Sequence, residues 1–199
     1  MKYIFENGGF IMYLLLFASI VSLGVILEKA YYYFKYEKLK KNFDYLIIAD
    51  KNNNIIPKNS LESLIRILTE ENKKNTKVNH FHLEEKAREY TLNKMLKFED
   101  KLWLLALISN ISPLLGLFGT VTGMIGAFNV IAVAGTGDPK LLADGISKAL
   151  ITTAGGLSVA MPTSVFLNYF TKKSDELITQ MEKITVEFLN NIRSDENEF

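Results

Sequence analysis

Three long stretches of this 199-residue chain, residues 8–27, 102–137 and 149–171, contain no Asp, Glu, Lys, Arg or His. They are 20, 36 and 23 residues long, and all the charged side chains lie outside them. A bilayer core about 30 Å thick is crossed by roughly 20 apolar residues in a helix, so each stretch is long enough to span a membrane. The sequence therefore predicts an all-α, polytopic membrane protein with three transmembrane helices.

Composition argues against several other classes of protein. The chain has no cysteine, which excludes a disulfide framework and a thiolate metal site. Its net charge is +1 and no basic face is set apart from acidic residues, so nucleic acid is not an expected partner. The two histidines, His80 and His82, would lie on different faces of a helix, which argues against a metal site. The Gly-Thr-Gly sequence at 135–137 lacks the spacing of a phosphate-binding loop, and we expect no cofactor.

Breaker residues between the apolar stretches set the predicted boundaries. The first transmembrane helix is expected within residues 1–30, and no small-residue cleavage site follows it, so we expect it to be retained. Residues 102–134 are expected to form the second transmembrane helix. Pro113 lies too near the start of this stretch to divide it into two spans, so it predicts a kink in one helix. A short loop over 135–144 and a third transmembrane helix over 145–171 follow.

The remaining segments, 31–101 and 172–199, are predicted to be helical. Apolar residues three or four positions apart predict helices over 35–49 and 60–71, and a further helix that starts near His82 and runs unbroken into the second span. A similar apolar stripe extends the third transmembrane helix into the tail, and we expect the two stripes to pack against each other.

Basic residues predict the orientation in the membrane. Of the 23 Lys and Arg residues, 16 lie in residues 28–101 and 4 in residues 171–199, and the lysines from Lys29 onward begin close to the first span. The positive-inside rule places both segments in the cytoplasm, so two of the three transmembrane helices extend into it. The amino terminus and the 135–144 loop are then on the opposite side.

Small residues follow one face of the second predicted span at steps of three and four. They are Ser109, Ser112, Gly116, Gly119, Gly123 and Gly126, with Thr120 on the same side, and the third span has Ala149, Gly156 and Ala160 around Thr153. Such faces allow helices to approach closely, which predicts helix packing or a subunit interface. Two roles stay open for the threonines: each bonds the carbonyl four residues earlier within a packed face, or both line a polar path.

Two segments of these spans resemble the paired signature of the MotA/TolQ/ExbB proton-channel family, closest to its ExbB and TolQ branch. They are Pro-Leu-Leu-Gly-Leu-Phe-Gly-Thr-Val-Thr-Gly-Met at 113–124 and Gly-Ile-Ser-Lys-Ala-Leu-Ile-Thr-Thr-Ala-Gly-Gly-Leu at 145–157, the latter followed by Met161 and Pro162. The resemblance implies a multi-pass subunit of the cell inner membrane, with the 135–144 loop in the periplasm. It also implies a homo-oligomer, a pentamer in known relatives, around two copies of a single-span ExbD- or TolR-like protein.

The resemblance further implies a function. Proton flow between ring and partner would drive a TonB- or TolA-like protein that acts on outer-membrane transport or integrity. Membrane lipid is the remaining expected partner. The alternatives are a MotA-like flagellar stator subunit and a non-channel membrane scaffold. An enzyme is not expected, because Lys148, near the edge of the third span, is the one group there suited to catalysis.

Asp, Glu and His are missing from the three uncharged stretches, so this chain alone cannot relay a proton by carboxylate chemistry. In the family the carboxylate is an Asp on the partner's helix, and the resemblance implies that Thr120 and Thr153 face it as the lining of the ion pathway. Lys148 stands at the expected periplasmic entrance, where ExbB and TolQ commonly carry a glutamate. It either extends to the membrane surface or pairs with an acid such as Asp144 or one on the partner.

Overall fold

The structure is a computed structural model that describes residues 9–36, 60–74, 80–134 and 139–197. The described residues form five helices: α1 Gly9–Tyr36, α2 Ser60–Lys74, α3 His80–Glu99, α4 Leu102–Ala134 and α5 Pro139–Asn197. The all-α class is thereby confirmed for this part of the chain. Most of the helix predicted over residues 35–49 lies outside the described residues.

Three helical stretches within the described ranges are long and apolar enough to cross a membrane. They are Gly9–Phe34, Phe81–Ala132 and Leu142–Ile192. The second stretch covers α3 and α4, and its charge-free part, which we take as the span, is α4. The prediction of three transmembrane helices is confirmed. Pro113 lies inside α4 and does not end it, so residues 102–134 form one helix and not two.

The helix predicted to run without a break into the second span is interrupted, so that prediction is wrong. α3 ends at Glu99 and α4 begins at Leu102. Between them Lys101 has a φ of 61°, in the left-handed region that residues with a side chain seldom adopt. The Leu104 N–H donates to the Lys101 carbonyl at 3.1 Å and so starts α4. Lysine carries no sequence signal for a helix break, which is why the sequence pattern did not reveal it.

α5 begins earlier and ends later than the predicted third span. Its first residue is Pro139, so residues 139–144 of the predicted loop are helical. Proline suits the first position of a helix because an N–H group there has no partner within the helix. α5 then continues through Pro162 and past residue 171 to Asn197, over 59 residues.

One compact unit consists of Met1–Glu28 and Lys101–Tyr169 and contains the apolar parts of α1, α4 and α5. Its buried residues are mostly small, and they include Ser112, Ala127, Ala149, Thr152, Ala160 and Thr163. Large apolar side chains face outward instead, among them Phe17, Leu114, Phe118 and Val165. Small residues inside and large apolar residues outside are typical of helices that pack within lipid.

A second compact unit consists of Lys29–Asp100 and Phe170–Phe199. Within it α2 and α3 pack against each other. Its core is made of large apolar side chains, as in water-soluble proteins. These include Leu64, Ile65 and Leu68 of α2, Leu83 and Phe98 of α3, and Leu177, Met181, Ile184 and Phe188 of α5. Most of the apolar stripe predicted for the tail is thus buried in this unit, whereas Phe81, Leu92 and Leu96 of α3 are exposed. The packing of the two stripes against each other stays a prediction.

A buried lysine and a tyrosine near the end of α1 hold the second unit together. Lys29 is 4% exposed, and its Nζ donates to the carbonyls of Phe98 at 3.0 Å and Lys97 at 3.2 Å, in the last turn of α3. A cation is favourable at a helix C-terminus, where the carbonyls lack partners within the helix. The Tyr33 ring stacks on Phe98 and on Phe170, with centroids 6.0 and 5.5 Å away, and its hydroxyl donates to the Phe170 carbonyl at 3.3 Å.

Candidate functional site

The backbones of α4 and α5 approach each other closely at two of the predicted packing residues, Gly116 and Gly156. A Cβ atom added to Gly156 would lie 2.5 Å from the Ser112 carbonyl oxygen and 3.1 Å from the Gly116 Cα. A Cβ on Gly116 would lie 3.0 Å from the Thr153 Cα. Because each neighbour is a backbone atom, only glycine allows this separation.

The other predicted small residues, except Gly126, extend the packing of α4 and α5 beyond Gly116 and Gly156. A Cβ on Gly119 would collide with the Thr152 side chain, and one on Gly123 would lie 2.9 Å from the Ala149 Cβ. Ala149 is buried there, and Ala160 is buried further along α5. Gly126 differs, because no atom lies within 4 Å of its Cβ position. Its role at a subunit interface stays a prediction.

The Gly116 carbonyl connects the Thr153 side chain to the α4 backbone at Thr120. Thr153 Oγ1 donates across the helix contact to the Gly116 carbonyl at 3.0 Å. In an α-helix the same carbonyl accepts the backbone N–H four residues later, which belongs to Thr120. The Thr120 hydroxyl donates to the Leu117 carbonyl at 2.7 Å. One of the two open interpretations expected each hydroxyl to bond the carbonyl four residues earlier in its own helix. Neither hydroxyl does so.

This arrangement leaves both threonines able to accept hydrogen bonds. Each hydroxyl hydrogen is directed to a backbone carbonyl, so the remaining lone pairs of Oγ1 are available to a donor. Both side chains are half-buried and within reach of a neighbouring molecule. A water molecule or a protonated carboxylic acid can donate to them. Hydroxyl groups do not titrate near neutral pH, so the pair can bind a proton carrier without holding the proton.

Thr152 is a site residue that sequence analysis missed. It is 3% exposed, and its Oγ1 donates to the Ala149 carbonyl at 2.6 Å and lies 3.3 Å from the Gly116 oxygen. The signal was present in the spacing, since Ala149, Thr152 and Gly156 are three and four residues apart. The family motif points to Thr153, whereas the small-residue spacing places Thr152 on the packed face.

Lys148 forms an ion pair with Asp144, which lies one helical turn earlier in α5. Its Nζ lies 2.6 Å from Asp144 Oδ2, and the two side chains are 40% and 53% exposed. Of the two interpretations left open by the sequence, pairing with Asp144 is present in the structure. The pair lines a groove of about 680 Å³, whose described lining does not include Thr120 or Thr153.

The described ranges contain no candidate metal site. No three His, Asp or Glu side chains there are arranged to hold an ion. His82 Nε2 instead lies 3.4 Å from Glu71 Oε1, in the second unit.

Comparison with known proteins places these features in a family. The profile of the MotA/TolQ/ExbB proton channel family matches residues 52–183. The biopolymer transport protein exbB1 of Vibrio cholerae is 41% identical over 95 residues, 47% of this chain and 41% of its own length. An ExbB homolog of Methanothermobacter thermautotrophicus is 30% identical over 189 residues, 90% of this chain and 66% of its own. The TolQ protein of Pseudomonas aeruginosa is 38% identical over 92 residues, 46% of this chain and 40% of its own.

A solved structure shares the fold. The C. jejuni MotAB structure has a TM-score of 0.59 to this chain at 16% identity, and the match covers 92% of this chain and 76% of the other. Apolar helices packed through small residues, with charged helical extensions, define a polytopic membrane protein of this fold. The chain belongs to the MotA/TolQ/ExbB proton channel family. It spans between about two fifths and two thirds of the length of these curated relatives.

Proposed function

We propose that this chain is an ExbB/TolQ-like subunit of an inner-membrane proton channel and motor. The motor couples the proton motive force to a TonB- or TolA-like energy transducer that acts on outer-membrane transport or integrity. The observation that carries the proposal is the hydrogen bond from Thr153 to the Gly116 carbonyl. It joins the two family motifs at a point where two hydroxyl groups can accept hydrogen bonds.

The proposed channel needs a second protein. Residues 8–27, 102–137 and 149–171 supply no Asp, Glu or His, so the titrating group comes from a partner. We propose a homo-oligomeric ring, a pentamer, around a single-span ExbD- or TolR-like protein with an Asp in its membrane helix. When protonated, that Asp donates to Thr120 or Thr153; when ionised, it loses this bond.

The energies are compatible with turnover. A neutral hydrogen bond contributes about 0.5–1.5 kcal/mol, and one charge crossing 100 mV releases about 2.3 kcal/mol. The threonines can therefore position the protonated acid without trapping it. A carboxylate in their place would add a second titrating group and a charge to the path.

Orientation and the absence of catalysis belong to the same proposal. The amino terminus and residues 135–144 lie in the periplasm, and residues 31–101 and 172–199 in the cytoplasm, as the basic residues favour. The chain is not an enzyme. Lys148, the ionisable group in the third span best suited to catalysis, is held in an ion pair with Asp144.

The test is proton flux in liposomes that contain the chain and its single-span partner, read with an internal pH-sensitive dye. Thr120→Val and Thr153→Val keep the side-chain shape and remove the hydroxyl, so each is expected to reduce flux at least about tenfold, the factor for 1.4 kcal/mol. Thr122→Val is the matched control, because Thr122 lines the groove of about 680 Å³, whose described lining includes neither Thr120 nor Thr153. Unchanged flux in both test variants contradicts the lining role, and no flux with the partner present contradicts the channel.

The alternatives predict different phenotypes. A MotA-like stator subunit predicts that deletion of the chain abolishes swimming, whereas the proposed role predicts loss of energised uptake or detergent resistance. A non-channel scaffold predicts either phenotype without proton flux in liposomes. The likeness to the MotAB structure concerns the fold and does not favour the stator role.

A further inference from the structure

The proposed proton path does not use the groove of about 680 Å³ in the first unit. The groove lies between the start of α1, the second half of α4 and the first turns of α5. Its floor contains Gly119, Gly123 and Gly126, and Phe10 and Phe118 stand in its walls. Its volume is within the range of about 300–1,000 Å³ typical of sites for small ligands.

The groove is open at Gly126. No atom lies within 4 Å of the Cβ position of Gly126, whereas α5 side chains close Gly119 and Gly123. Phe10 and Phe118 are 75% and 59% exposed. Exposed apolar walls of this kind mark a binding groove, and in a membrane span the surrounding medium supplies acyl chains to fill it.

Charge is confined to one end of the groove. Of its described lining residues, Asp144 and Lys148 are the charged ones, and they form an ion pair that is 2.6 Å long and half exposed. Both lie near the start of α5 at Pro139, at the end of the span next to the inter-helix loop. The groove therefore changes from charged near the membrane surface to apolar deeper in the span, as a phospholipid does along its length.

The length of the groove fits one leaflet. Along α4 its lining runs from Phe118 to Val130, a separation of 12 residues. At 1.5 Å per residue this is about 18 Å. Half of the hydrocarbon core is about 15 Å, and a transmembrane helix of a partner needs about 30 Å. One lipid chain fits this length, whereas a spanning helix extends beyond it.

We propose that this groove binds one phospholipid with a zwitterionic, primary-amine head group, of the phosphatidylethanolamine type. An acyl chain lies on the glycine floor. The phosphate accepts hydrogen bonds from Lys148, whose ammonium group has three N–H donors, and the lipid ammonium donates to Asp144. A choline head group has no N–H to donate to Asp144, and a glycerol head group leaves a net negative charge beside it.

The first experiment uses the purified full-length chain and measures lipid affinity by native mass spectrometry. The probes are dioleoyl phosphatidylethanolamine, phosphatidylcholine and phosphatidylglycerol. Gly126→Leu fills the groove where the structure has free space, and Gly24→Leu is the matched control, because Gly24 also has no atom within 4 Å and lies outside the groove. We expect Gly126→Leu to weaken phosphatidylethanolamine binding at least about tenfold, equivalent to 1.4 kcal/mol, and Gly24→Leu to leave it unchanged.

A paired change tests head-group recognition. Asp144→Asn combined with Lys148→Gln removes both charges, so the preference for phosphatidylethanolamine over phosphatidylcholine is expected to disappear. Equal binding of the three lipids by the unmodified chain overturns the head-group assignment. Equal binding of phosphatidylethanolamine by the unmodified chain and Gly126→Leu overturns the site.

A second measurement does not depend on the folding of the leucine variant. Since the chain has no cysteine, Gly126→Cys gives a single thiol inside the groove. In phosphatidylethanolamine vesicles a bound lipid is expected to protect this thiol from a charged, water-soluble maleimide. Rapid labelling shows a water-filled groove, and efficient disulfide formation between two chains shows that a second copy covers it. Either result overturns the proposal.

Discussion

A single methyl group at Gly156 provides the sharpest test of the α4–α5 contact. In Gly156→Ala the new Cβ would lie 2.5 Å from the Ser112 carbonyl oxygen, and real Cβ atoms essentially never approach other atoms within 3.0 Å. The obstacle is backbone, so no side-chain rotation relieves it. α5 must move away from α4 locally by at least the difference of 0.5 Å. The Thr153–Gly116 hydrogen bond, now 3.0 Å long, then reaches the limit of useful length.

The expected magnitude follows from two opposing effects. Overpacking costs about 1–3 kcal/mol, while alanine in place of glycine in a helix interior gains up to about 1 kcal/mol. Weakening the Thr153 hydrogen bond costs up to about 1 kcal/mol more. We therefore expect Gly156→Ala to lower the free energy of unfolding by about 1–2 kcal/mol.

The matched control is Gly126→Ala. Nothing lies within 4 Å of that Cβ position, so the helix preference of alanine acts alone and the variant should be unchanged or more stable by up to about 1 kcal/mol. The assay is reversible unfolding by SDS in mixed micelles, followed by the fluorescence of Trp103, the single tryptophan of the chain. If the two variants differ by less than about 0.5 kcal/mol, the close backbone contact is not what stabilises this unit.

Three further predictions concern other parts of the chain. Lys29→Met removes the ammonium bound to the Phe98 carbonyl, so denaturation should show a loss of about 1–3 kcal/mol, with partial recovery in Lys29→Arg; equal stability of all three proteins contradicts the buried cap. Lys101→Gly should be neutral or stabilising, because relief of the left-handed backbone, about 1–2 kcal/mol, exceeds the exposed ion pair with Glu28; Lys101→Val should be less stable than either, and the reverse order of melting temperatures argues against this backbone conformation. Burial raises the pKa of Tyr90 above its ordinary value of 10.0, because the folded state favours the neutral phenol. The stability from this preference is fully present below pH 10.0 and is lost as pH rises through the folded pKa. In unfolding measured over a series of pH values, Tyr90→Phe should lack this alkaline loss of stability.

The spans were predictable because a bilayer imposes simple requirements. A helix that crosses it needs length and few charges, and the stretches at 8–27, 102–137 and 149–171 meet both conditions without reference to tertiary structure. Helix ends were less predictable. The break at Lys101 depends on one left-handed residue, and the helical start at Pro139 lies in a segment whose composition favours a turn.

The site was predictable to the level of a helix face and no further. Glycine spacing identified Gly116 and Gly156, because the period of a helix fixes which residues share a side. The rotation of one helix against another is a tertiary property, so the bond from Thr153 to the Gly116 carbonyl was not visible in the sequence. Lys29 shows the same limit. A lysine after an apolar stretch is expected near the membrane surface, yet its ammonium is buried against the end of α3.

The Gly116 carbonyl has an evolutionary consequence. It accepts the Thr153 hydroxyl and, through helix geometry, the Thr120 amide, so a backbone shift at this residue alters both threonines together. Selection acting on either hydroxyl therefore also constrains the glycine that joins them. Among homologues, positions 116, 120 and 153 should change jointly or not at all, and an orthologue that loses one threonine should tolerate a larger residue at 116.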